Sequence, residues 1–138
     1  MSSASVELTA SERLLVDEAA IPFGRRAVAG TQYDLSRGRK LGGLRLDDAF
    51  TGLGRDGARA SAVVRAGNDR GARLWMDESF QFVQVFTAEG IAHDAGAIAV
   101  EPMTCPANAF NSGDGLLVLD PRAEWTGAWG IEPTSRSG

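Results

Sequence analysis

The chain has 138 residues, enough for one globular domain and too few for two of ordinary size. Fourteen Lys and Arg stand against eighteen Asp and Glu, a net charge of -4 without the positive excess that phosphate-backbone binding uses, so nucleic acid is not expected as a partner. No apolar run approaches the roughly 20 residues of a membrane-spanning helix, the opening Met1 to Arg13 has no export-signal pattern, and the single cysteine, Cys105, cannot form an intramolecular disulfide. A soluble, cytoplasmic chain without membrane contact is the expectation.

Short β-branched or aromatic stretches recur between Gly, Asp, Asn and Pro, and no long helical stripe interrupts them. The pattern predicts strands near Ser5 to Leu8, Arg13 to Val16, Ala60 to Ala66, Ala72 to Asp77, Phe80 to Thr87, Ala97 to Met103, Leu116 to Leu119 and Trp125 to Ile131. Turns are expected at Pro22-Phe23-Gly24, Gly54 to Gly57, Gly67 to Gly71 and Asn111 to Gly115, the hairpin at Gly67 being the clearest. The fold class is therefore all-β with antiparallel sheets, and residues 134–138 read as a frayed, disordered tail.

In the strand from Phe80, a period of two puts Phe80, Phe82, Gln84 and Phe86 on one face and Gln81, Val83, Val85 and Thr87 on the other. Gln84 thus interrupts an aromatic stripe, either to pair with a neighbouring backbone group or to serve as a site ligand. In the strand from Ala97, Glu101 ends a row of small side chains, Ala97 and Ala99. That row leaves room either for close packing or for a ligand beside an acid, and exclusion of water there would raise the Glu101 pKa.

Other residues carry less. Asp47 and Asp48 would point to opposite faces of a strand, or form a solvated turn. Arg25, Arg26, Arg37, Arg39 and Lys40 form a basic cluster, a wet surface or a seat for a sugar phosphate. Trp75, Trp125 and Trp129 suit a core or stacking on a sugar. His93, the only histidine, lies in a Gly- and Ala-rich connection and reads as a surface residue, and Cys105, beside Pro106, is a poor nucleophile candidate.

Two stretches resemble the aldose 1-epimerase, or galactose mutarotase, family. In Ala99 to Gly113 the positions of Glu101, Pro106, Ala109, Phe110 and Asn111 match that family's Glu-strand and the motif that follows it. Asp47-Asp48-Ala49-Phe50 resembles its Leu-Asp-x-x-Phe element, and Gln84 with Phe86-Thr87 its Gln-x-aromatic-Thr element. The resemblance implies a partial β-supersandwich, with residues 1–138 the C-terminal portion of a domain about twice as long. It implies interconversion of the α and β anomers of a hexose by acid/base ring opening, with Glu101 as catalytic base and Asp47 and Gln84 binding the sugar. No metal or organic cofactor is implied. The family's catalytic histidines lie upstream of anything that matches here, and His93 matches neither. A small-molecule aldose is the expected partner, and an exposed sandwich edge would invite self-association or a complementing chain. A non-catalytic carbohydrate-binding module or remnant, and a hexose-6-phosphate epimerase using the basic cluster, are the alternatives.

Overall fold

A computed structural model describes residues 3–68, 70–88 and 96–135. Eleven strands and one helical turn follow one another as β1 (Ser5–Leu8), β2 (Ala10–Val16), β3 (Pro22–Ala27), β4 (Arg39–Lys40), β5 (Asp47–Leu53), β6 (Arg55–Asp56), β7 (Arg59–Arg65), β8 (Arg70–Met76), β9 (Phe82–Ala88), β10 (Ala97–Met103), α1 (Ala109–Ser112) and β11 (Trp129–Ser135). They form two antiparallel sheets. One runs β11-β8-β7-β1-β4 with β6 appended to β7, and the other runs β10-β9-β5-β2-β3. Among the described residues no helix is long and apolar enough to cross a membrane.

The core lies between the sheets. Alternation turns Val6, Leu8, Ala60, Ala62, Leu74 and Met76 inward from one sheet and Phe50, Val83 and Val85 inward from the other, all 9% exposed or less. Because the period is two, burying Val83 and Val85 commits Phe82, Gln84 and Phe86 to the outer face of the five-stranded sheet.

Several sequence expectations need correction. Pro22-Phe23-Gly24 opens β3 rather than forming a turn. The chain reverses earlier, where the Asp17 carboxylate accepts the N–H groups of Ala19 and Ile21 at 2.9 Å each. Arg55 and Asp56, expected in a turn, pair with β7 across a tight hairpin whose bend needs Gly57 at φ 59. Asp47-Asp48 begins strand β5, so it is not a solvated turn. Leu116 to Leu119 is no strand, for the run has no partner among the described residues and leaves Val118 81% exposed.

The last strand lies four residues later than expected. Trp125 stays outside it and sets its ring edge-on to Phe80, 6.0 Å between centroids. The strand instead matches the whole length of β8, so Thr134 and Ser135 pair with Gly71 and Arg70 rather than belonging to a frayed tail. Residues 136–138 of that expected tail, and His93, lie outside the described residues. The hairpin at Gly67 is present as the β7–β8 connection, where the Ala66 N–H donates to the Arg70 carbonyl at 2.7 Å.

Each sheet has one edge with adjacent cations and an opposite edge that carries a single acid and a single proline. Pro22, Arg25 and Arg26 occupy β3, and the two residues of β4 are Arg39 and Lys40. Short, charged or proline-bearing edges resist pairing with another strand. The opposite edges, β10 and β11, are seven residues each, and Trp129 and Ile131 on β11 remain 55% and 66% exposed.

Candidate functional site

Glu101, Gln84 and Asp47 come from three neighbouring strands, and the register brings them onto one face. Glu101 on β10 stands directly opposite Gln84 on β9, and Gln84 stands opposite Ala49 on β5. Cross-strand partners hold their Cβ atoms about 5 Å apart, so the Glu101 and Gln84 side chains are immediate neighbours. Asp47 lies diagonally across, opposite Phe86. Gln84 Nε2 donates to Asp47 Oδ1 at 2.7 Å. A carboxylate only accepts, so the amide nitrogen has to face Asp47, which leaves the amide oxygen for another donor.

The row is open. Glu101 and Asp47 are exposed and Gln84 is half-buried, so the water-excluded pocket imagined for Glu101 is not formed by these residues. Small residues keep the floor low, with Ala49 across from Gln84 and Ala99 across from Phe86. Phe86, 39% exposed, is the aromatic that shares this face. The tryptophans do not supply it: Trp75 and Trp129 belong to the other sheet, and Trp125 packs on Phe80. At the other end of the stripe Phe82 is 3% exposed, roofed by the segment after β10, where a Cβ on Gly115 would come within 3.1 Å of its ring. Gly115 holds φ 63, so both its backbone and its fit over Phe82 favour glycine.

That same segment carries α1, a single turn between Asn108 at φ 62 and Gly113 at φ 75, with Phe110 94% exposed. The Arg25 guanidinium reaches this face but is engaged by Asp114, 2.9 Å away. Arg39 and Lys40 sit on the edge strand of the other sheet, so the basic cluster of the sequence is divided between two sheets. Cys105 is a half-buried free thiol.

Asp47 and Asp48 were expected on opposite faces if they lay in a strand, and β5 holds both. Asp48 faces away from Asp47 and inward, where its Oδ1 accepts Arg13 Nη1 at 2.7 Å with the two side chains only 13% and 16% exposed. The Arg13 guanidinium lies over the Tyr33 ring, 3.7 Å from its centroid. Sequence reading missed Arg13, whose signal was a basic residue at an inward position of β2, opposite Phe50.

With this geometry in view, the chain can be set beside known proteins. A family model described as aldose 1-epimerase matches residues 1–131. The chain belongs to the aldose 1-epimerase family. It is 29% identical over 114 residues to the uncharacterized protein YihR of Escherichia coli (strain K12), a match covering 83% of this chain and 35% of YihR. It also superposes on the crystal structure of the GalM/aldose epimerase homologue from C. elegans with a TM-score of 0.79 at 16% identity, covering 97% of this chain and 46% of that one. The fold is therefore that of the galactose mutarotase-like proteins, and this aldose 1-epimerase family chain spans less than half the length of either relative.

Proposed function

We propose that Glu101, Gln84 and Asp47 are the base and two sugar ligands of a site that interconverts the α and β anomers of a free hexose. The observation that supports this reading best is the row itself, three polar side chains from adjacent strands β10, β9 and β5 on a face that the core does not use. Asp47 and the Gln84 oxygen accept hydrogen bonds from sugar hydroxyls, and Phe86 offers its ring to the apolar side of the sugar. Glu101 takes the proton of the anomeric hydroxyl. The freed electron pair forms the carbonyl at C1, the bond from C1 to the ring oxygen breaks, and that oxygen takes a proton from an acid. Rotation about C1–C2 and reclosure give the other anomer. General acid and base groups each contribute about 10²–10⁴-fold to such steps.

The acid is not among the described residues in this reading. It comes from the part of the fold that the 138 residues do not span, these residues forming the C-terminal share of the site. An unphosphorylated sugar fits better than a sugar phosphate, since Arg25 is paired with Asp114 and Arg39 and Lys40 lie on the other sheet. The single histidine, His93, favours a second reading, a sugar-binding module without turnover.

Polarimetry separates the two. The relaxation of fresh α-D-glucose and α-D-galactose is followed with the purified chain against a blank, alongside binding of the same sugars by NMR titration. Binding by the chain alone, with an acceleration that appears only once the chain is complemented by the rest of the fold and that Glu101→Gln then removes, is the expected result. Binding without acceleration in the complemented form selects the module, and a folded chain that binds neither sugar sinks both.

A further inference from the structure

The Asp47 carboxylate is exposed, yet the backbone that carries it is held by two polar clamps. On one side Thr87 uses its N–H and both roles of its hydroxyl. Its N–H donates to the Leu46 carbonyl at 2.9 Å, its hydroxyl oxygen accepts the Leu46 N–H at 2.9 Å, and its hydroxyl proton goes to the Leu44 carbonyl at 3.1 Å. On the other side Asp48 Oδ2 accepts the Asp47 N–H at 3.2 Å, while Asp48 Oδ1 is fixed by Arg13, itself stacked on Tyr33.

We infer that Thr87 and the Arg13–Asp48 pair are positioning residues, which fix the backbone of residues 44–47 so that the Asp47 carboxylate meets Gln84 in the orientation a sugar needs. A stability role alone accounts poorly for this arrangement. An inward ion pair yields little net stability, since desolvation offsets most of the attraction. Asp48 divides its oxygens between Arg13 and the amide of the neighbouring Asp47, and the Thr87 hydroxyl, in addition to the place of Thr87 in the β9–β10 ladder, holds the residues that enter β5. Displacing a ligand-bearing group by a fraction of an ångström is enough to lose binding or rate. The inference rests on the proposed role of Asp47, and the experiment keeps the two apart.

Thr87→Val preserves shape and removes the hydroxyl; Thr87→Ser restores it. Asp48→Asn keeps the volume and removes the charge that holds Arg13. For each variant of the 138-residue chain three quantities are read: the D-galactose dissociation constant by NMR titration, the position of the Gln84 side-chain amide resonances with the exchange rate of the Leu46 and Asp47 amides, and Tm. The expected result is a loss of galactose affinity of roughly tenfold in Thr87→Val and Asp48→Asn, with shifted Gln84 resonances and faster exchange. Thr87→Ser is expected within about twofold of the parent. Variants that lower Tm while leaving the Gln84 resonances and the affinity in place would overturn the inference. Should the parent chain bind no sugar, the functional reading fails on its own, and the Gln84 and amide-exchange signals still decide whether the clamps position Asp47. If Thr87→Val does not fold, Asp48→Asn and Thr87→Ser carry the same decision.

Discussion

Replacing the Glu101 carboxylate by an amide keeps its shape and removes its ability to take a proton. Glu101→Gln in a catalytically complete form is therefore expected to lose about 10²–10⁴-fold in turnover while sugar affinity stays within a few-fold. A near-normal polarimetric rate would remove Glu101 from the role. Gln84 allows a sharper comparison, because its amide nitrogen touches Asp47 at 2.7 Å. Gln84→Leu deletes both hydrogen-bonding atoms. Gln84→Glu instead sets two carboxylates against each other, and like charges across neighbouring strands repel. At pH 7 the second variant is expected to bind hexose more weakly than the first, which NMR titration checks.

Among the strands, the end of β8 shows how one carboxylate joins several elements. Asp77 accepts the Ser79 N–H at 2.9 Å and the Ala128 N–H at 2.7 Å, its own N–H reaches the Ala128 carbonyl, and its carbonyl receives Arg55 Nη1 at 3.1 Å. Partial burial pushes its pKa upward, but the Ser79 and Ala128 N–H groups, with Arg55 nearby, outweigh that and hold it below the ordinary 3.8. A carboxyl with a lowered folded pKa stabilises above its unfolded pKa, and the contribution fades as pH falls through 3.8 toward the folded value. Asp77→Asn should therefore lower Tm near neutral pH, with the gap to the parent closing below pH 3.8 in a series of thermal melts. At the opposite end of β8, a Cβ on Gly71 would run into the Val64 carbonyl oxygen, which is backbone and cannot turn aside. Gly71→Ala is expected to cost about 1–3 kcal/mol, read from denaturant unfolding.

These elements also show what a sequence conveys. The alternation of Phe82 to Thr87 and of Ala97 to Met103 was legible because β9 buries Val83 and Val85 and β10 packs Ile98 and Val100 against the core, which leaves Gln84 and Glu101 on the other face. Asp47 and Asp48 were legible as an opposed pair only once a strand was assumed, and β5 itself was missed because its start, Asp47-Asp48, has the composition of a turn. Arg13, Tyr33 and Asp48 meet from separate parts of the chain, so no local pattern announces them.

For the whole molecule, exposed apolar side chains decide behaviour in solution. The described chain leaves Leu117, Val118 and Leu119 on the segment after α1, and Trp129 and Ile131 on the edge strand β11, between 46% and 81% exposed, and Phe23 on the β3 edge 68% exposed. Apolar patches on such edges mark association surfaces or aggregation hazards. The isolated chain is expected to gain mass with concentration in light scattering, and Ile131→Lys should shift it toward the monomer. An unchanged mass in that variant would place the contact elsewhere. The position of β10 adds a last point, since this outermost strand has β9 on one side and no strand on the other among the described residues. Its backbone groups alternate in direction, so half of them have no ladder to join. The carboxylate proposed to move the proton therefore stands on an edge rail of its sheet, laddered on one side alone. How sharply Glu101 is aimed will depend on whatever comes to lie along that rail, and slowed amide exchange in residues 97–101 would record its arrival.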